Sequence, residues 1–201
     1  MTLEAFSLKA SEWAAAGQPF VFLVDFEMKK PVICKPEEAA GLGLFFDIAG
    51  RRNLEENPVS KIPTLKGRPV TRECYSERFQ WVREHIRHGD SYLLNLTFPT
   101  PIESNLSLSE IFHTAWAPYR MLYMDKFVVF SPECFVRIKD GEIFTYPMKG
   151  TIDARLDDAE NKLLGNLKEE WEHNTIVDLM RNDLAMVAHD IRVRKYRFVQ
   201  K

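Results

Sequence analysis

The chain has 201 residues, 45% hydrophobic and 28% charged, enough apolar material for one large domain or two small ones. Its 27 basic and 29 acidic residues leave a formal charge of -2, so no field of one sign points to nucleic acid or an anionic membrane as partner. No apolar run is long enough to span a bilayer, and the first residues lack a signal-peptide pattern. The three cysteines, Cys34, Cys74 and Cys134, form no CxxC pair, which argues against a zinc site or a disulfide framework. A reducing, cytoplasmic location is expected.

In chain order, residues 19–26 form a continuous apolar run, as a buried strand would, and 31–35 follow a polar turn, giving a hairpin. A short helix is expected over 36–40 and a strand over 43–48. Residues 50–72, rich in Arg, Asn, Pro, Lys and Gly, read as a long surface loop. Tyr75, Phe79, Val82 and Ile86 recur at helical spacing over 73–88, and Gly89 stops that helix. A strand is expected over 91–97. Ser107 and Glu110 make a capping box that opens a helix reaching about Trp116. Two hairpins follow, 119–124 with 127–131 and 135–138 with 142–146, the second turned by Asp140-Gly141. Helices are expected over 157–164 and from 167 to about 187, with Ile176, Met180, Leu184 and Val187 along one apolar stripe of the second. Residues 191–199 alternate as a closing strand. The fold class is α+β, mainly antiparallel sheets with helices outside, and the whole 1–201 reads as a single, incomplete domain.

The stretch Tyr146-Pro147-Met148-Lys149-Gly150-Thr151 presents a lysine on stiff, bent backbone. Most lysines in such bends are only solvated, but a reactive amine would be displayed in this way. The hairpin brings Glu133 close to Lys149 in space. The two-residue turn register sets Glu133 opposite Met148, so a bulge or a ladder break at Pro147 is needed to bring both side chains to one side. A carboxylic acid beside a lysine suits acid-assisted nucleophilic attack, and a surface ion pair is the plainer use of the same spacing. Further on, Glu169, Glu172 and His173 share a helix face. Two such carboxylates suit a hard cation such as magnesium, and a solvated charged face is the plainer alternative.

Four segments in order resemble the chorismate-utilising enzymes. They are residues 89–97 (GDSYLLNLT), 131–135 (SPECF), 147–151 (PMKGT) and Glu172-His173 running on to 177–184 (VDLMRNDL). The resemblance covers at least 89–199. It implies a domain of two packed antiparallel sheets with outer helices, of which this chain supplies the N-terminal part. Lysine at 149, where anthranilate and isochorismate synthases usually carry alanine, is similar to the aminodeoxychorismate synthase component I branch, which serves p-aminobenzoate and folate synthesis. By that resemblance Lys149 attacks C2 of chorismate and Glu133 helps the 4-hydroxyl leave. Ammonia from a separate glutamine amidotransferase subunit then adds at C4. Gly150 and Thr151 contact the substrate. Glu172 ligates Mg2+, with Glu169 as a supporting carboxylate. Leu93 and Leu94 stand where more polar residues are common. Later family segments, including a Gly-Ser-x-Thr-Gly-Ala-Pro-Lys stretch, do not occur in the chain, which implies a truncated form, inactive by itself. Anthranilate synthase component I stays open as an alternative, as does a non-catalytic binding module of the same fold.

Overall fold

The computed structural model describes residues 1–54 and 59–199. The elements in chain order are α1 (Leu3–Ala15), β1 (Val21–Leu23), β2 (Val32–Cys34), α2 (Pro36–Ala39), a 3-10 turn (Ala40–Leu42), β3 (Leu44–Ile48), β4 (Arg51–Arg52), β5 (Leu65–Gly67) and α3 (Arg72–His88). Then come β6 (Ile102–Ser104), α4 (Leu108–Thr114), β7 (Tyr119–Tyr123), β8 (Phe127–Ser131), β9 (Arg137–Lys139), β10 (Glu142–Phe144), α5 (Ala159–Leu164) and α6 (Leu167–Ala185). One four-stranded sheet runs in the order β4-β3-β7-β8, and β1–β2, β5–β6 and β9–β10 form two-stranded sheets. The pairs β1–β2, β3–β4, β5–β6 and β9–β10 are antiparallel. The α+β mixture expected from the sequence is the one observed. No helix among the described residues is long and apolar enough to cross a membrane.

The chain divides into two compact units. The first comprises Met1–Phe45, Asn53–Trp116 and Met121–Val128. Its core holds the fully buried Phe112, Leu44 and Cys34, with Ile33, Ala39, Val82 and Leu122. Burying Phe112 completely removes an aromatic ring from water, a contribution of about 2–3 kcal/mol. Local chemistry sets the helix ends here. Thr71 caps α3 by accepting from Cys74 N at 3.3 Å, and Gly89, at φ 87, ends it in the left-handed conformation that glycine adopts without a Cβ penalty. Ser107 and Glu110 form the expected capping box on α4.

The second unit comprises Phe46–Arg52, Ala117–Arg120 and Val129–Lys201. Phe46, at its boundary, is buried, and Arg120 Nη2 donates to Asp47 Oδ2 at 3.3 Å with both side chains largely covered. The β9–β10 hairpin has the predicted register, Lys139 opposite Glu142 and Arg137 opposite Phe144. Its turn is left-handed at both central residues, Asp140 at φ 52 and Gly141 at φ 77, the twist that matches a two-residue hairpin.

Four expectations change. The 50–72 loop contains β4 and β5, and β5 pairs with β6 across a long sequence separation. Residues 55–58 of that predicted loop lie outside the described residues. Residues 91–97 form no strand, because no described segment offers them a ladder partner, and Tyr92, Leu93 and Leu94 stand exposed. Residues 191–199 are not a strand either. Left-handed backbone at Asp190 (φ 56) precedes the run and at Arg197 (φ 40) interrupts it. Finally, α1 is an unpredicted helix, capped by Thr2, whose Oγ1 accepts from Ala5 N at 3.2 Å.

Candidate functional site

The candidate catalytic, substrate-binding and metal-binding residues, Glu133, Lys149, Gly150, Thr151, Glu169 and Glu172, all lie in the second unit, whereas residues 89–97 belong to the first. The β9–β10 ladder ends at Arg137 and Phe144, earlier than Pro147. From there Thr145 Oγ1 donates to the Phe135 carbonyl at 3.1 Å and lies 3.8 Å from Met180 Sδ, which ties the open end of the hairpin to α6. Lys149 therefore stands outside the ladder, so strand register no longer dictates the side to which it points. It is exposed, as is Glu133, and no ion pair joins the two. Glu133 sits on a corner made by one hydroxyl. Ser131 Oγ accepts from Glu133 N and donates to Glu133 O, both at 3.1 Å.

Gly150 is the tightest point of the loop. Its φ is 76, and a Cβ built there would lie 2.9 Å from Glu169 Oε2 and 3.0 Å from Leu163 Cδ1. Only glycine meets both demands, left-handed backbone and close approach. The backbone at Gly150 and the carboxylate of Glu169 are therefore packed against each other. Thr151, beside it, is exposed.

Glu169 belongs to the first turn of α6. Asn166 caps that helix, its Oδ1 accepting from Lys168 N at 3.0 Å and Glu169 N at 3.4 Å. Acidic residues there complement the helix dipole. Glu169 is 20% exposed and Glu172 37%. Lys168 Nζ reaches both, at 3.4 Å from Glu169 Oε1 and 2.9 Å from Glu172 Oε1. The hydrogen bond to Glu172, then that to Glu169, raise the Lys168 ammonium above the ordinary lysine range. Two carboxylates one turn apart already hold a cation between them, in the form of this ammonium. Two carboxylates are the smallest protein donor set that a hard divalent ion uses, the rest of its shell coming from other oxygens, and among the described residues no group of three or more His, Cys, Asp or Glu side chains comes together to hold one. His173, half-buried next to Glu172, has its pKa lowered by burial and then by the positive charge of Arg197.

Several contacts escaped the sequence reading. Tyr119 lies against Cys134; its phenol is pushed up by a hydrogen bond to Cys134 first and by burial second. Cys134 Sγ in turn donates to the Val136 carbonyl at 3.4 Å. Nothing in the spacing of a strand residue and a loop cysteine signals that meeting. The Asn166 cap was readable as Asn followed three residues later by Glu. The basic residues within 192–197, part of the expected closing strand, are spent on side-chain contacts. Arg194 Nη2 donates to Glu142 Oε1 and Oε2 at 2.7 and 2.9 Å, and Arg197 reaches α5 and α6.

Comparisons with known proteins add the following. A family model described as chorismate binding enzyme matches residues 21–201. An uncharacterized PabA-like protein of Haemophilus influenzae is 50% identical over 200 residues, 100% of this chain and 61% of the relative. Aminodeoxychorismate synthase component 1 of Escherichia coli is 34% identical over 131 residues, 59% of this chain and 29% of that protein. Anthranilate synthase alpha subunit 1 of Arabidopsis thaliana is 29% identical over 167 residues, 76% of this chain and 28% of that protein. The chain thus spans about three-fifths of the Haemophilus relative's length. No solved structure matches it.

Proposed function

Since the chain belongs to the chorismate-binding enzyme family, we propose that the whole protein works as aminodeoxychorismate synthase component I, converting chorismate and ammonia to 4-amino-4-deoxychorismate for p-aminobenzoate and folate synthesis. The reading rests on one observation above the others. The lysine-bearing loop meets the acidic helix, with Gly150 so close to Glu169 that a Cβ there would lie 2.9 Å from Glu169 Oε2. An amine and two carboxylates are thereby offered from neighbouring pieces of chain.

In this mechanism Lys149, as the neutral amine, adds to C2 of the chorismate ring. The ring double bonds shift and the C4–O bond breaks. Glu133 gives its proton to the departing oxygen, so water leaves. Ammonia then adds at C4, the double bonds shift back, and the C2–N bond to Lys149 breaks. The proton lost by ammonia returns through Glu133 or solvent. Gly150 and Thr151 line the substrate with backbone. Glu172, supported by Glu169, would hold Mg2+, which when bound supplies positive charge for a substrate carboxylate. A glutamine amidotransferase partner supplies the ammonia, in the cytoplasm. The likeness to the E. coli component 1 over 131 residues supports this branch.

The test is product identity in the whole protein supplied with chorismate, Mg2+ and an ammonium salt. Mass spectrometry should find 4-amino-4-deoxychorismate, and without ammonia a Lys149 adduct equal to chorismate less water. Lys149→Ala should abolish both. Undiminished product from that variant would remove the lysine from the chemistry, and anthranilate as the product would assign the other branch.

A further inference from the structure

Residues 194–197 cross between the hairpin and the acidic helix without belonging to either. Arg194 grips Glu142 of β10 through both carboxylate oxygens. The Tyr196 hydroxyl hydrogen-bonds Asn174 Oδ1, and its ring meets His173 edge-on at 5.7 Å between centroids. Arg197 goes deepest, with its side chain only 15% exposed. Its Nη1 lies 3.3 Å from Glu170 Oε2, and its Nη2 donates to the Leu164 carbonyl at 2.8 Å.

The placement of those two partners matters. Leu164 ends α5 and Glu170 lies in the first turn of α6, with only Gly165 and Asn166 between the helices. Their neighbours, Leu163 and Glu169, are the two residues packed on Gly150. One guanidinium therefore fastens together the two helix ends that cradle the loop. It grips α6 at Glu170, while Tyr196 meets His173, which shares a helix face with Glu169 and Glu172. A planar fork with several fixed donors suits that double attachment better than a single ammonium does.

We propose that Arg197 is a positioning residue: by joining Leu164 to Glu170 it holds the α5–α6 corner so that Glu169 and Glu172 keep the geometry a divalent cation needs. This rests on the metal reading given above. Partners bonded to a ligating carboxylate commonly change metal affinity by about 10–100-fold when removed; Arg197 acts one residue away, through Glu170 and Leu164, so the lower end applies.

The experiment measures Mn2+ binding to the whole protein by electron paramagnetic resonance, with far-UV circular dichroism as the check on folding. Arg197→Met should raise the Mn2+ dissociation constant about tenfold while the helical signal is kept. Arg197→Lys, which restores a charged donor, should recover part of the loss, a recovery that mere loosening of the fold would not produce. Glu170→Gln, which keeps the bond to Leu164, should weaken binding less than Arg197→Met. A folded Arg197→Met chain that binds Mn2+ as the unaltered chain does would overturn the proposal. Should that variant fail to fold, an unchanged affinity in Glu170→Gln would overturn it instead. If the unaltered chain binds no Mn2+, or Glu172→Gln leaves binding intact, the metal reading itself falls and this inference with it.

Discussion

Replacing Gly150 with alanine tests whether the lysine loop is pressed onto the acidic helix. Two effects of that change are shared with Gly141→Ala, because Gly141 has nearly the same φ, 77 against 76. An L residue in the left-handed region costs about 1–2 kcal/mol, and a stiffer unfolded chain returns about 0.4–1 kcal/mol. The two sites differ in what the new methyl meets. At Gly141 there is nothing within 4 Å, whereas at Gly150 there are Glu169 Oε2 at 2.9 Å and Leu163 Cδ1 at 3.0 Å. Overpacking costs about 1–3 kcal/mol, and both atoms here end flexible side chains, so the lower end applies, about 1 kcal/mol. Urea denaturation followed by circular dichroism should therefore find Gly150→Ala less stable than Gly141→Ala by about that amount. Adding Glu169→Ala to Gly150→Ala should relieve part of the excess, because the nearer obstacle is then gone. Equal losses at the two glycines, or strict additivity with Glu169→Ala, would refute the packed arrangement.

Two further outcomes concern titration. The Glu110 carboxyl is held below its ordinary value by the hydrogen bond from Lys61 first and the Ser107 amide second. The unfolded chain thus binds this proton more readily, and the stability it contributes is present above the ordinary value of 4.5 and lost as pH falls through the lower folded value. Carbon-detected NMR should place its midpoint below 4.5, and Lys61→Met should raise it; a midpoint at or above 4.5 would contradict the pairing. For Tyr119, Cys134→Ala should bring the phenol back toward 10.0 in an ultraviolet titration, and no movement would exclude the thiol as the main cause.

What could be read from the sequence was mostly local chemistry. Asp140-Gly141 announced its hairpin because two left-handed residues in a row are a property of those residue types. Ser107-x-x-Glu110 and Gly89 marked helix ends for the same reason. The N-terminal helix was equally readable, with Thr2 as cap and Leu3, Phe6, Ala10 and Trp13 at helical spacing. Pairing of β5 with β6 was not readable, since three residues with no alternation of burial gain their partners only from the tertiary fold. Residues 91–97 and 191–199 have strand composition but lack a ladder among the described residues, and composition alone does not make a strand. At the site, helical spacing put Glu169 and Glu172 on one face. The approach of Gly150 to Glu169 depends on how the 151–166 connection folds back, and no short-range pattern encodes that.

The strap at 194–197 also bears on how the second unit comes apart. Its anchor on Glu142 closes a separation of 52 residues, so docking must wait until the hairpin and α6 exist, and the entropy of closing that long loop is set against it. It has no backbone ladder to hold it, only side chains, and the Arg194–Glu142 pair lies open to water. Such a segment opens at a small fraction of the global unfolding free energy. Dissolved salt weakens the exposed Arg194–Glu142 pair, whereas the covered Arg197–Glu170 pair and the uncharged contacts of Tyr196 and the Leu164 carbonyl are screened much less. The ionic strength of the medium thus acts on the Arg194 end of the strap more than on the Arg197 end.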